Sequence, residues 1–323
     1  MAPLLRTTIK LDYPAYWPDP VYDMAGSPLT EEGVELGRKL FYDPILSLDS
    51  TTSCANCHLS YTAFTHVDHA LSHGIGDSIG TRNSMALMNL AWSKSFMWDG
   101  AVNHLDMQAL APISHPAEMG EEIGHVVEKL NQSLHYPAKF ALAFGSSEIT
   151  GARLLKALAQ FQLTLVSANS KYDQVMRKED GISFTAQEEK GYQLFQTHCE
   201  SCHQEPLFTN GSFENNGLPL DSTLHDGGRI KITGHPEDSL KFKVPTLRNI
   251  EFSFPYMHDG RFKKLNQVLE HYSEGIHDSP TLSPQLKNGI PLRQEDAVDL
   301  VAFLLTLTDK QFLFNPKFAF PRD

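Results

Sequence analysis

Cysteine occurs four times in the 323 residues, always within the same pentapeptide pattern: Cys54-Ala-Asn-Cys57-His58 and Cys199-Glu-Ser-Cys202-His203. Two thiols three residues apart, with an imidazole directly after them, suit one chemistry. The thiols form thioethers to the vinyl groups of a porphyrin, and the adjacent His is then placed to ligate the iron. Other uses of Cys-x-x-Cys fit less well. A zinc site does not explain a His directly after each pair. A thioredoxin-like redox pair requires a βαβ setting, which the sequence does not offer, and disulfides would leave the spacing unconstrained. Both pentapeptides therefore read as attachment sites for c-type haem, with His58 and His203 as iron ligands. In bacteria such attachment takes place outside the cytoplasmic membrane, so a bacterial source implies a periplasmic address.

The elements that must position these residues repeat as well. Thr30-Glu31-Glu32 opens a helix containing Gly37-Arg38-Lys39-Leu40-Phe41, followed by Cys54. Thr185 to Glu188 has a capping-box pattern and opens a helix containing Gly191-Tyr192-Gln193-Leu194-Phe195, followed by Cys199. Duplicated cytochrome c-like units explain such a repeat. Helical spacing recurs at Ile123, Val126, Val127 and Leu130, at Leu154, Leu158, Phe161 and Leu165, and at Leu265, Val268, Leu269 and Tyr272. A last helix is predicted near Asp296 to Leu307. Alternating strand patterns are scarce, and loops such as Asn210 to Asp221 are long. The expected fold is mainly α, with two haem domains in tandem: 1–180, and 181–323 after a polar junction at 168–178 and Gly181.

Composition narrows the partners. A formal charge of −12 and a pI near 5.6 argue against nucleic acid, which needs a basic footprint. The acidic balance fits a basic redox partner and fits plain solubility equally. No apolar run approaches the roughly 20 residues of a membrane span. Met1 to Lys10 lacks the charged-then-apolar layout of a secretory signal, so a periplasmic protein is expected here in mature form, its leader removed.

A series of further segments resembles the bacterial dihaem cytochrome c peroxidase family. They are Leu36 to Pro44, Gly80-Thr81-Arg82-Asn83, Phe96-Met97-Trp98-Asp99-Gly100, Gln108 to Pro112, Pro116 to Gly120, Val244 to Asn249, and Pro255 to Arg261. They occur in family order and extend from about Leu29 to Leu307. The resemblance implies that hydrogen peroxide reacts at the N-terminal haem while the C-terminal haem relays electrons. It implies Trp98 as the residue between the haems. It also implies a nearby calcium ion held by the Asn83 side chain and the carbonyls of Ser253 and Pro255, oxygen donors that suit Ca²⁺.

Cleaving a peroxide bond needs a group that moves a proton from one oxygen to the other. The resemblance puts Glu118 in that role, with Gln108 and Pro112 beside it. Respiratory members carry a distal His at the position of Ile75, so this haem is expected to be open at rest. His73 could reach the iron only by a register shift, and His66, His69 and His73 read as loop histidines. For the second haem the candidate sixth ligands are Met257 and Tyr272. Tyr272 ends an apolar stripe and is expected to point inward, with His271 pointing away. Respiratory members have Met on this helix and the MauG branch has Tyr, which stabilises the higher oxidation states of iron.

Three functions follow from these expectations. The first is a MauG-like enzyme that withdraws oxidising equivalents' worth of electrons from a protein partner at Trp or Tyr. The second is a respiratory peroxidase fed by a small cytochrome or cupredoxin. The third is a plain electron-transfer cytochrome, against which Glu118 and an open first haem both argue.

Overall fold

The computed structural model describes residues 6–321; the first five residues of the Met1–Lys10 stretch lie outside them. A helix starts where a side chain satisfies the first free amides, and the chain does this twice in the same way. Thr30 caps the helix Glu31–Tyr42, its hydroxyl accepting from the Gly33 amide at 3.1 Å. Thr185 and Glu188 cap the helix Ala186–His198 reciprocally. Each of these helices packs on a later one. Glu31–Tyr42 lies on Gly151–Leu163, and Ala186–His198 lies on Gln294–Leu305.

The glycine of each Gly-x-x-Leu-Phe sits at the crossing. A β-carbon on Gly37 would run into the Ala157 carbonyl and Phe161; one on Gly191 would run into the Asp299 carbonyl and Phe303. Only glycine lets two helix backbones approach this closely. Phe41 then packs on Phe161 with ring centroids 5.3 Å apart, and Phe195 on Phe303 at 5.1 Å. The weak sequence repeat is therefore a repeated helix crossing, and each crossing carries one pentapeptide just beyond it.

The remaining predicted helices are Ile123–Gln132 and Leu265–Glu274. The last one, Gln294–Leu305, starts two residues earlier than its apolar stripe suggests because Arg293 and Asp296 cap it. Among the described residues, the one two-stranded sheet joins Phe213–Glu214 and Phe242–Lys243, an antiparallel pair with Phe213 opposite Lys243. The fold is mainly α, built as two tandem units. One apolar cluster includes Leu36, Leu40, Phe41, Leu158 and Phe161; the other includes Tyr172, Phe195, Phe208, Leu300 and Phe303. The end of the chain returns to the first cluster, where Phe312 and Leu313 are buried.

The polar stretch 168–178 is mostly half-buried, with Ser170, Tyr172 and Asp173 fully inside. It forms the short helix Lys171–Met176, capped reciprocally by Ser170 and Asp173. Asp173 and Arg248 are both fully buried, and the two carboxylate oxygens accept from the guanidinium at 2.9 and 2.8 Å. Burial alone would raise the Asp173 pKa, but the Arg248 pair and the Ser170 and Tyr16 hydroxyls outweigh it and hold it low. Arg248 also donates to the Pro206 carbonyl at 2.9 Å and lies over the rings of Trp17 and Phe208. This ion pair ties the N-terminal arm, the junction helix and the loop behind His203 together.

Candidate haem sites

Each pentapeptide is curled into one helical turn. The His58 amide donates to the Cys54 carbonyl at 3.0 Å, and the His203 amide to the Cys199 carbonyl at 2.9 Å. All four cysteines are free of disulfides. Burial pushes Cys54 and Cys199 up to about 12, so both are neutral thiols near pH 7.

The two imidazoles are oriented by matching contacts. His58 Nδ1 lies 2.7 Å from the Phe64 carbonyl. His203 Nδ1 lies 3.2 Å from the Phe208 carbonyl and 3.1 Å from that of Pro245. Phe64 and Phe208 are fully buried and share a left-handed backbone, with φ of 58° and 55°. A proton on Nδ1 shared with a carbonyl leaves Nε2 with its lone pair, the arrangement a metal-ligating His requires. Burial pulls both rings down to about 4, so neither carries a competing proton there.

Beside His203 lies a cavity of about 470 Å³ lined by Cys199, Cys202, Met257, Tyr272 and Trp98. Both candidate sixth ligands are therefore on its wall, and Asn216 reaches both. Asn216 Nδ2 lies 3.4 Å from Met257 Sδ. Burial pushes the Tyr272 hydroxyl up to about 12, opposed by its hydrogen bond with Asn216. His271 does not point away, contrary to the expectation from spacing. It is buried, and its Nε2 lies 2.9 Å from the Asn216 carbonyl. The helix thus buries His271 beside the cavity-lining Tyr272, because the 215–217 turn folds over its polar flank.

The same cavity wall carries a buried amine. Lys243 Nζ donates to the Ser95 carbonyl at 2.8 Å, and no carboxylate among the described residues pairs with it. Burial pulls its pKa down to about 8. An unpaired cation in such a place is costly, and a haem propionate is the kind of anion that would relieve it.

At the first pentapeptide, Glu118 is partly buried. Burial raises its pKa, opposed by His115, whose Nδ1 lies 3.8 Å from its carboxylate. Its charge also acts on Cys54 and Cys57. The loop bearing Ile75 is fastened to it. The Ile75 amide donates to the Glu118 carbonyl at 2.8 Å, and a β-carbon on Gly120 would strike the Ile75 side chain. The His73 carbonyl accepts from Cys57 Sγ at 3.4 Å, while the His73 ring stacks on His69 at 4.2 Å. His69 stacks in turn on His66 at 5.2 Å. Gln108 Nε2 lies 3.9 Å from Met97 Sδ, and the Met119 amide donates to the Pro112 carbonyl at 3.2 Å.

Trp98 is buried, and its indole N–H donates to the Asn83 carbonyl at 2.9 Å. Its own carbonyl accepts from the Lys243 amide at 2.7 Å, and the Asn83 amide donates to the His258 carbonyl at 2.7 Å. These reciprocal bonds join the two halves. They expose a repeat that the helix pattern alone misses, Met97-Trp98-Asp99-Gly100 against Met257-His258-Asp259-Gly260. Both methionines are left-handed, with φ of 68° and 76°. The signal was present in the Met-x-Asp-Gly spelling. Asn83, Ser253 and Pro255 all line the cavity, and Asn83 Nδ2 donates to the Ala70 carbonyl at 3.0 Å. Among the described residues no group of three His, Cys, Asp or Glu could hold a metal, so a cation there would rest on neutral oxygens.

Comparison with known proteins agrees with this arrangement. Residues 31–181 match the family model of di-haem cytochrome c peroxidase, and residues 188–308 match that of cytochrome c. The methylamine utilization protein MauG of Methylorubrum extorquens is 37% identical over 90% of this chain and 82% of its own length. The cytochrome c551 peroxidase of Nitrosomonas europaea is 33% identical over 92% and 85%. A crystal structure of a MauG-like protein associated with microbial copper homeostasis superposes with a TM-score of 0.86 at 32% identity, covering 97% of this chain and 99% of that one.

Proposed function

The chain belongs to the di-haem cytochrome c peroxidase family, and from that premise we propose a MauG-like division of labour between its two haems. Family membership makes it a peroxidase-type oxidoreductase with haem c cofactors and peroxide as substrate. The finer reading assigns residues. Cys54, Cys57 and His58 hold the first haem, and Cys199, Cys202 and His203 hold the second. Lys243 sits where it would neutralise a propionate of the second. Bound haem supplies the electron chemistry at both sites.

The chain's own groups handle protons and position. Glu118 takes the proton of incoming hydrogen peroxide and returns it to the departing oxygen, a task suited to a carboxyl whose pKa burial has raised. Gln108 helps to hold the peroxide. Trp98 lies between the halves as the electron bridge, tied to the Asn83 carbonyl. Tyr272 would hold the second haem through its phenol oxygen, steadied by Asn216. Asn83 Oδ1 and the carbonyls of Ser253 and Pro255 would hold calcium. The electron donor is a protein, oxidised at Trp or Tyr, and the setting is periplasmic; no described helix is long and apolar enough to cross a membrane.

The observation that carries this reading is the register of the 73–75 loop. Ile75 is bonded to the Glu118 backbone, while the His73 ring is engaged with His69. Ile75 offers no ligand atom on the loop beside Glu118, which supports a first haem that would be open at rest. A second reading, a respiratory peroxidase fed by a small cytochrome or cupredoxin, is favoured by Met257, whose thioether also faces the second cavity. Electron paramagnetic resonance and near-infrared magnetic circular dichroism of the resting ferric protein separate the two. One high-spin haem and one low-spin His/Tyr haem support the proposal. A His/Met signature on the second haem, or a bis-His first haem, refutes it.

A further inference from the structure

The arm before the first helix carries an aromatic group that the haem chemistry above does not use. Trp92, 8% exposed, lines the second cavity. Its ring meets Tyr13 edge-on at a centroid distance of 5.3 Å, and Trp17 edge-on at 5.0 Å. The Trp92 indole N–H donates to the Pro18 carbonyl at 2.7 Å, which fastens the arm to this ring. Trp17 is buried. Tyr13 is half-buried, and its hydroxyl donates to Asp19 Oδ1 at 3.2 Å. Ring contacts therefore run from the cavity wall to a phenol at the edge of solvent, with a carboxylate on its hydroxyl.

Electrostatics distinguish the two partners of Trp92. An oxidised Trp that keeps its proton is a cation. The Arg248 guanidinium stands 4.6 Å from the Trp17 ring centre, so a second positive charge there is opposed. Trp17 Nε1 is also buried, with the Tyr16 hydroxyl rather than a carboxylate beside it, so its proton has no base in direct reach. Tyr13 has the opposite surroundings, since Asp19 can receive the proton as the electron leaves.

We infer that Tyr13 is the outlet for oxidising equivalents, reached from the second haem through Trp92 and presented to an electron-donating protein at the arm. The inference rests on the peroxide reading above and adds the route by which a partner is oxidised. In each pass Tyr13 gives one electron through Trp92 to the oxidised dihaem unit, and its hydroxyl proton moves to Asp19. The unit falls by one equivalent and Tyr13 becomes a neutral phenoxyl radical. The partner then supplies one electron, and the proton returns from Asp19. Two passes consume the two equivalents that one hydrogen peroxide provides.

The test uses the holoprotein with one equivalent of hydrogen peroxide and no partner, followed by rapid freeze-quench electron paramagnetic resonance and optical spectroscopy. Ring-deuterated tyrosine identifies the radical. The expected result is a tyrosyl signal that Tyr13→Phe removes. That variant should also slow decay of the oxidised haem bands by about tenfold, the effect of ~1.4 kcal/mol of barrier. Trp92→Phe should delay the signal, whereas Trp17→Phe should not. An unchanged signal in Tyr13→Phe overturns the outlet. So does a parent protein whose haems are oxidised by peroxide without any tyrosyl signal, a result that leaves the peroxidase reading standing. Haems that do not respond to peroxide at all refute that reading first, and the outlet with it.

Discussion

Replacing Glu118 by Gln keeps the volume and a polar end but removes the carboxylate proposed to carry the proton. A positioned acid–base group is worth about 10²–10⁴ in rate, or ~3–5 kcal/mol of barrier. The structure argues for the lower part of that range. His115 Nδ1 lies only 3.8 Å from the carboxylate, close enough to relay some protons in its absence, so the expected loss is about 10²–10³. Burial raises the Glu118 pKa, and the group must be ionised to accept the peroxide proton. The parent rate should therefore rise with pH through that raised value, and the Gln variant should lose this limb. Stopped-flow mixing of ferric holoprotein with hydrogen peroxide, read at the Soret band, gives the rate directly. The protein should keep both haems, because Glu118 contributes no attachment. A Gln variant that reacts within about threefold of the parent, with the same pH profile, would remove Glu118 from proton transfer.

Three further outcomes follow from the geometry. Tyr272→Met should raise the potential of the second haem, since a thioether favours ferrous iron; a redox titration with unaltered potentials and spectra would assign the ligand to Met257. Lys243→Gln should lower that haem's potential by leaving a carboxylate unpaired beside it, with Lys243→Arg restoring it; no change in the Gln variant would put the propionates elsewhere. Asp173→Asn strands the buried Arg248 and should cost about 3–5 kcal/mol, visible as a lower denaturation midpoint. Because the Asp173 pKa is held low in the folded protein, its contribution is present above the usual carboxylate pKa and lost as acid protonates it. A variant as stable as the parent at pH 7, or one with the same acid sensitivity, would contradict this.

What could be read from the sequence was whatever is local. The pentapeptides announce their chemistry in five residues, and the caps at Thr30 and Thr185 lie within four residues of what they bond. Periodicity was sufficient for Leu265–Glu274 as a helix but not for its faces. His271 was expected outward because its neighbours in the stripe point inward, yet the turn at Asn216, 55 residues away, supplies the carbonyl that keeps its ring buried. Separation in sequence likewise hides Lys243, a residue that looks like an ordinary surface cation until Ser95, 148 residues earlier, is seen to receive it. Resemblance supplied Glu118 and Trp98, since no spacing rule singles out one acid or indole from the others; for Tyr272 it joined the apolar stripe that already turned this phenol inward.

The two halves show how one scaffold can make unlike sites. The helix crossing at Gly37 and Gly191, the carbonyls of Phe64 and Phe208 behind the imidazoles, and the left-handed Met97 and Met257 are all shared. These shared features depend on close backbone contacts and set the proximal side of each proposed haem site. The differences lie in the other side chains placed around the two pentapeptides. The first half offers Ile75 beside Glu118, an apolar residue and a proton carrier. The second offers Tyr272 and Met257, both reached by Asn216. Trp98 in one Met-x-Asp-Gly turn answers His258 in the other, and the bonds Lys243 to Trp98 and Asn83 to His258 lock the two turns against each other. Under the proposed division of labour, electrons exchanged between the halves would cross near these locked turns, where the Arg82–Asp226 ion pair adds a further tie between the same two segments.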